Sequence, residues 1–79
     1  AAVETCRIDD DSPAQGKTLA EIDLRPRTGA SVIAWTHAGV TQANPSEHTR
    51  LMAGDIVVLL GSRAQIRQAM GLLVEMDEK

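Results

Sequence analysis

The sequence contains no phenylalanine or tyrosine, and Trp35 is its only aromatic residue. Proteins that bind single-stranded nucleic acid stack the bases on several aromatic side chains, so this mode of binding is not expected. Basic residues are also in the minority: 8 lysines and arginines stand against 11 aspartates and glutamates, for a net charge of -3. Because the basic stripe that a phosphate backbone requires is missing, we predict no nucleic-acid partner.

Cysteine and long apolar runs are scarce as well. Cys6 is the single cysteine, which rules out a disulfide within the chain and is typical of a reducing compartment. We interpret Cys6 as a small buried hydrophobic residue in a strand rather than as a reactive thiol. The longest apolar run, Ile56 to Leu60, is far shorter than the roughly 20 residues that a membrane helix needs. We therefore predict no direct membrane insertion.

The length of 79 residues fits one domain, and we expect residues 1–79 to form it. Hydrophobic residues make up 43% and charged residues 24%, which is an ordinary globular balance. The chain does not begin with methionine, so we expect it to be a fragment of a larger protein. Domains of this size bury a marginal core and often gain stability by oligomerisation.

The first half of the chain predicts one strand and one short helix. Residues 1–8 contain Val3, Thr5, Cys6 and Ile8 and predict a strand, which the acidic turn at 9–13 ends. Thr18 and Glu21 have the spacing of a capping box and predict a helix of about two turns. We expect Pro26 and Gly29 to close that helix.

The second half predicts three strands and a longer helix. The strands are expected at 30–37, 40–43 and 56–60, with a hairpin turn between the first two. The third strand is apolar throughout, which predicts a central strand buried on both faces. Ser62 and Gln65 form a second capping box, and the following helix is expected to run to Val74. The charged tail at 75–79 is expected to fray.

Together these elements give the order β-α-β-β-β-α. We therefore predict an α+β fold in which a small sheet packs against two helices.

One motif imitates a phosphate-binding loop. Gly16, Lys17 and Thr18 match the end of a P-loop, but Asp11 stands where the motif needs its first glycine. The neighbouring aspartates would repel a triphosphate. We interpret the motif as the start of a helix.

Other polar clusters are equally poor candidates for chemistry. Asp9, Asp10 and Asp11 lack the spaced ligands of a calcium loop, and we interpret them as a solvated turn. His37, His48 and Cys6 fit no compact zinc pattern. Ser46 and His48 have no carboxylate placed to orient the imidazole. We therefore predict no catalytic residue, no metal site, no cofactor and no enzymatic activity.

Ile33 and Trp35 are predicted to point to the same side of their strand, opposite Val32, Ala34 and Thr36. The helices that we expect cannot cover two apolar sheet faces. We therefore predict a homodimer with Ile33 and Trp35 as interface candidates.

The chain also carries a series of short motifs in a characteristic order: Gly16-Lys17-Thr18-Leu19, Glu21-Ile22-Asp23-Leu24-Arg25, Thr28-Gly29-Ala30, Asn44-Pro45-Ser46 and the run from Leu51 to Gly61. This order resembles the RCK C-terminal domain, also called the TrkA-C domain. The resemblance extends from about Val3 to Leu73.

The resemblance implies a regulatory domain of a potassium channel, a potassium uptake system or a cation/proton antiporter of the Kef type. Such domains lie on the cytoplasmic side of the membrane, follow an RCK nucleotide-binding domain and commonly dimerise. Some bind a small regulatory ligand at the dimer cleft, and the transport domain of the parent protein responds. The alternative is a purely structural dimerisation domain without a ligand.

One branch of the family is similar to cyclic di-AMP receptors, which favour an arginine and an asparagine beside the second strand. Asn44 matches the asparagine and is the candidate ligand-binding residue, whereas no matching arginine follows Ile33.

Overall fold

The computed structural model describes residues 1–74, and the predicted charged tail at 75–79 lies outside the described residues. The chain forms four strands and three helices in this part. Their bounds are β1 (Ala2–Arg7), α1 (Leu19–Ile22), α2 (Leu24–Thr28), β2 (Ser31–His37), β3 (Val40–Ala43), β4 (Ile56–Gly61) and α3 (Arg63–Leu73). In residues 1–74, no helix is long and apolar enough to cross a membrane.

The strands form one antiparallel sheet with the spatial order β1-β4-β2-β3. β4 lies between β1 and β2, as its apolar composition predicts. β1 and β3 form the two edges. The predicted α+β class, a small sheet packed against helices, is confirmed, and the strand bounds agree with the sequence to within about one residue.

The first helical segment differs from the prediction because it is divided. The capping box of Thr18 and Glu21 starts α1 as predicted, but α1 ends at Asp23, whose φ of 56° is left-handed. α2 then begins, and Pro26 lies in its first turn instead of closing a helix. A proline is tolerated there because first-turn N–H groups have no partner within the helix. Gly29, with φ of 83°, ends α2.

α3 begins as predicted. The Ser62 hydroxyl accepts a hydrogen bond from the Gln65 backbone N–H, and the Gln65 side-chain oxygen accepts one from the Ser62 backbone N–H. Its buried stripe consists of Ile66, Ala69 and Leu73. The last carbonyl of this helix is anchored from the loop after β1, because the Ser12 hydroxyl donates to the Leu73 carbonyl oxygen at 2.5 Å. The start of α3 therefore lies near the beginning of β1, and its end lies near the loop that follows β1.

The core lies on only one face of the sheet. Val57 and Leu59 of β4 are fully buried beneath the helices, whereas Ile56 and Leu60 on the other face are 38% and 36% exposed. The prediction that β4 is buried on both faces is therefore wrong. α3 lies on β1 and β4, and α2 packs against α3 and β2, so these helices share one side of the sheet. Nothing in residues 1–74 covers the opposite face.

Candidate ligand groove and the Asp55 cluster

An open groove of about 370 Å³ lies where α1 and α2 meet the start of β2. The segment after β3 forms its other wall. Apolar side chains and one small polar residue line most of it, and three charged side chains complete the lining: Leu19, Ala20, Leu24, Pro26, Ser31, Val32, Pro45, Asp23, Arg25 and Glu47. This mixture is typical of sites that surround a flat organic group with few polar contacts.

Backbone hydrogen bonds hold the two walls of this groove together. The Leu19 amide donates to the Thr49 carbonyl oxygen, and the Ala20 amide donates to the Glu47 carbonyl oxygen, both at 2.9 Å. These are first-turn amides of α1 that no residue of the helix itself can satisfy. The wall that contains Pro45 and Glu47 is therefore fixed to α1.

The charges around the groove limit what it can accept. Asp23 and Glu47 contribute two negative charges against the single positive charge of Arg25. A compact polyanion would meet net repulsion here. A flat apolar group that carries one anionic substituent fits better, because the substituent can pair with Arg25.

Asn44, the ligand-binding candidate from the sequence, lies beside the groove. It adopts a left-handed conformation with φ of 51°, and its backbone N–H donates to the Ile33 carbonyl oxygen at 2.9 Å. Its side chain is exposed, and the next residue, Pro45, lines the groove. A backbone hydrogen bond thus joins Ile33 to Asn44. Ile33 follows the groove residue Val32, and Asn44 precedes the groove residue Pro45.

Ile33 and Trp35 do not share a face as the alternation predicts. Val32 pairs with Leu59 and Ala34 pairs with Val58, so Ile33 is an extra residue in a β-bulge. The bulge reverses the alternation and places Trp35 opposite Val57, on the helix-covered side. The face assignment is therefore wrong, and a role for these residues in dimerisation stays a prediction.

The most connected polar group in the described residues is Asp55, which the sequence alone did not single out. Its side chain is buried, with 2% of the residue exposed. One carboxylate oxygen accepts from Trp35 Nε1 at 3.0 Å and from the Met52 amide at 2.9 Å. The other lies 2.6 Å from His37 Nδ1. The Trp35 and His37 rings stack with centroids 5.7 Å apart. We call these four residues the Asp55 cluster.

The Asp55 carboxylate is kept ionised by its partners. Burial alone would raise the pKa of this carboxyl, but the hydrogen bonds from His37, the Met52 amide and Trp35 outweigh burial and lower the pKa below its usual value. The cluster ties the end of β2 to the turn before β4. No hydroxyl or thiol is hydrogen-bonded to His37 among the described residues, so we interpret the cluster as structural.

Cys6, His37 and His48, whose spacing fits no zinc pattern, are not brought together in the structure. Cys6 is buried. The pKa of its thiol is raised mainly by this burial and to a lesser extent by the negative charge of nearby Asp9. His37 contacts Asp55, and His48 lies in an exposed loop next to Glu47. Within residues 1–74, no group of three metal-ligating side chains is close enough to hold an ion.

The sequence pattern of the TrkA-C domain family matches residues 3–74. The chain belongs to the TrkA-C domain family. The predicted resemblance is confirmed, and the groove and the Asp55 cluster are features of a TrkA-C domain. No curated protein sequence matches the chain.

Solved structures that are similar to this TrkA-C domain come from proteins of different kinds. The RCK_C domain dimer of S. agalactiae BusR in complex with c-di-AMP is 22% identical, with a TM-score of 0.82 over 92% of this chain and 96% of that one. The C domain of the potassium transport protein KtrA, in complex with c-di-AMP, is 18% identical, with a TM-score of 0.76 over 85% of this chain and 76% of that one. The GsuK channel bound to NAD is 28% identical, with a TM-score of 0.76 over 91% of this chain and 13% of that one.

The prediction of no nucleic-acid partner is wrong. S. agalactiae BusR is also known in complex with its busAB-promotor DNA, and that structure is 24% identical with a TM-score of 0.77. The matched region covers 91% of this chain but only 35% of that BusR chain. The small number of basic residues in this chain therefore does not exclude DNA binding by a longer protein that contains such a domain.

Proposed function

We propose that this TrkA-C domain is the regulatory domain of a cation transport protein and that it binds a small ligand in the groove between α1, α2 and β2. Its family membership and its similarity to the KtrA domain support the transport context. The parent protein would be a potassium channel, an uptake system or a cation/proton antiporter, with this domain on the cytoplasmic side of the membrane. In this proposal the domain has no enzymatic activity.

The observation that carries the proposal is that backbone hydrogen bonds from the start of α1 join the two walls of the groove. Because these two hydrogen bonds join the walls, the free energy of ligand binding is not reduced by the cost of ordering them. Leu19, Leu24 and Val32 offer apolar contact to a flat group, and Arg25 offers one cationic partner. The ligand class is therefore a nucleobase-like heterocycle that presents one phosphate or carboxylate to each groove it touches.

Regulation requires that the ligand bind two arrangements of the protein with different affinities. We propose that two copies of the domain meet beside the groove, with Ile33 and Asn44 at their contact. A ligand that touches both copies would then favour one relative orientation. This is a coupling between ligand binding and subunit geometry, which is what control of a transport pathway requires.

A thermal-shift experiment tests this proposal. The purified chain is heated with c-di-AMP, c-di-GMP, NAD, AMP or a divalent cation. A ligand present at tenfold its dissociation constant should stabilise the native state by about 1.4 kcal/mol, which corresponds to a rise in melting temperature of roughly 6–11 °C. If none of these compounds changes the melting temperature, the result contradicts the proposed ligand class and favours the alternative of a structural dimerisation domain without a ligand.

Ala20→Gln is the diagnostic variant, because Ala20 lines the groove and is exposed on α1. A longer neutral side chain at this position should occupy the groove and abolish the shift without unfolding the helix. Ala64→Gln on α3 is the matched control, since Ala64 is also an exposed helical alanine and does not line the groove. An equal shift in both variants would place the ligand elsewhere.

A second candidate function follows from the similarity to BusR. The same ligand-binding domain would then belong to a regulator of transcription, whose DNA-binding part lies outside the chain described here. Both candidates use the groove in the same way, so the thermal-shift experiment does not separate them. Measuring DNA binding and membrane association of the full-length protein does.

A further inference from the structure

Strand β1 forms an edge of the sheet that nothing covers within residues 1–74. It pairs with β4 on one side only, so its outer side presents unpaired backbone N–H and C=O groups. Such an edge is a template for another strand. Val3, Glu4 and Thr5 are exposed, and Val3 is 58% accessible. The opposite edge, β3, has only four residues and offers a much shorter template.

A second groove follows this edge on the helix side. It measures about 450 Å³, and its lining consists of Ala2 and Glu4 from β1 together with Arg63, Ile66, Arg67 and Met70 from α3. The apolar members form the floor between the strand and the helix. A strand added to the edge of β1 would lie beside this groove and bring its own helix-side residues toward Ile66 and Met70.

The charges along β1 are separated between its two ends. Arg63 and Arg67 lie on the first two turns of α3, near the start of the strand, and α3 contains no acidic residue. Asp9, Asp10 and Asp11 follow the end of the strand and are all exposed. Only Asp9 has an ion-pair partner among residues 1–74, the exposed Arg7 at 3.7 Å. The start of the edge, where the two α3 arginines outnumber Glu4, is therefore basic on balance, and the other end is acidic.

An antiparallel copy of the same edge complements both features. With Thr5 on a two-fold axis, Glu4 faces Cys6 of the other strand and Ala1 faces Asp9. The acidic turn of each copy then lies at the basic end of the other. The two α3 helices would lie roughly 10 Å apart, because each covers β1 and β4 and strands are spaced by about 4.8 Å. That spacing suits direct helix packing of Ile66 and Met70.

We propose that the edge of β1 is a docking surface for a second copy of this chain, in which β1 pairs with β1 and each acidic turn 9–11 contacts Arg63 and Arg67 of the other copy. The contact is self-complementary and closes as a two-fold dimer. It is separate from the ligand groove and from the proposed contact at Ile33, so it goes beyond the proposed function. Two different contacts on one domain allow assemblies larger than a dimer.

Sedimentation equilibrium of charge-reversed variants tests the proposal. Arg63→Glu with Arg67→Glu should weaken self-association at least about tenfold, and so should Asp9→Arg with Asp10→Arg, because each pair replaces attraction by repulsion at both ends of the edge. An equimolar mixture of the two variants should associate within about threefold of the unmodified chain, since every contact is then attractive again. Lys17→Glu with Arg27→Glu is the control of equal charge change away from β1, and it should leave association unchanged.

The results separate this interface from the one in the proposed function. Ile33→Glu should leave the β1 contact intact and remove only the association beside the ligand groove. If the Ile33→Glu variant is a monomer at millimolar concentration, the β1 contact does not exist, whether or not the unmodified chain associates. If the arginine variants lose association and the mixture does not restore it, the arginines contact another group, such as nucleic acid, and the proposal is wrong.

Discussion

The Asp55 cluster gives the most specific prediction about stability. Replacing Asp55 by alanine leaves two partly buried donors, Trp35 Nε1 and the Met52 amide, without their acceptor. A buried donor without a partner costs about 1–3 kcal/mol, whereas half-exposed His37 can turn to water. We therefore expect Asp55→Ala to lower the free energy of unfolding by roughly 2–5 kcal/mol. A chain of this length has a total of about 4–12 kcal/mol, so the loss is a large fraction.

Asp55→Asn separates the hydrogen bonds from the charge. Its amide oxygen can still accept from Trp35 and Met52, and its amide nitrogen can donate to a neutral His37. We therefore expect less than half of the loss seen for Asp55→Ala.

The two forms should also differ in their response to acid. The pKa of the Asp55 carboxyl is lowered by folding, so its stabilising contribution is present above the unfolded pKa of about 3.9 and is lost as pH falls through the folded pKa. Stability should thus fall on acidification in the unmodified chain, and this fall should be smaller in Asp55→Asn.

Urea unfolding followed by fluorescence measures these changes, because Trp35 is the only tryptophan and lies in the cluster. Circular dichroism of the same samples provides a second probe that does not depend on the indole environment. If Asp55→Ala changes the free energy of unfolding by less than about 0.5 kcal/mol, the carboxylate does not connect β2 to the turn before β4.

The remaining predictions concern the helix caps, one glycine and the thiol. Thr18→Ala and Ser62→Ala should each cost about 1 kcal/mol in urea unfolding, because each removes an N-cap; equal stability of either variant to the unmodified chain would contradict this. Gly29→Ala should cost more than about 1 kcal/mol, since φ is 83° and the new Cβ would lie 2.5 Å from Nε2 of Gln65; a wild-type melting temperature would contradict it. Cys6 should react slowly with a thiol reagent in the native state, because it is buried and its pKa is raised; labelling as fast as in urea would refute this.

Local signals in the sequence predicted the helix starts and the strands well. Both capping boxes involve residues three apart, so their geometry follows from the helix itself, and Thr18 and Ser62 are N-caps as predicted. β4 is central because an apolar strand has to be paired on both sides. The two caps depend on few residues and on contacts that are close in the chain, whereas the place of β4 follows from its apolar composition.

The face of Trp35 could not be predicted in this way. A period of two assigns it to the side of Ile33, and only the pairing with β4 shows that one residue is bulged. The Asp55 cluster was missed for a related reason: Trp35 and His37 are 20 and 18 residues away from Asp55 in the chain. A signal was available in hindsight, because an aspartate directly before a buried strand needs hydrogen-bond partners.

The candidate site was predicted only in part. Asn44 does lie beside the groove, but most of the lining comes from α1 and α2, which the sequence described as one helix. The left-handed turn at Asp23 separates the two helices and opens the space between them. The polarity pattern does not mark this turn, although aspartate is common in turns and tolerates the left-handed conformation better than most residues.

The central claim is that the groove between α1, α2 and β2 binds a small regulatory ligand. Isothermal titration of c-di-AMP and NAD into the purified chain, with Ala20→Gln and Ala64→Gln in parallel, tests it most directly. We expect saturable binding of one of these compounds to the unmodified chain and to Ala64→Gln, and none to Ala20→Gln. Binding that survives Ala20→Gln unchanged, or the absence of binding of either compound at millimolar concentration, would contradict it.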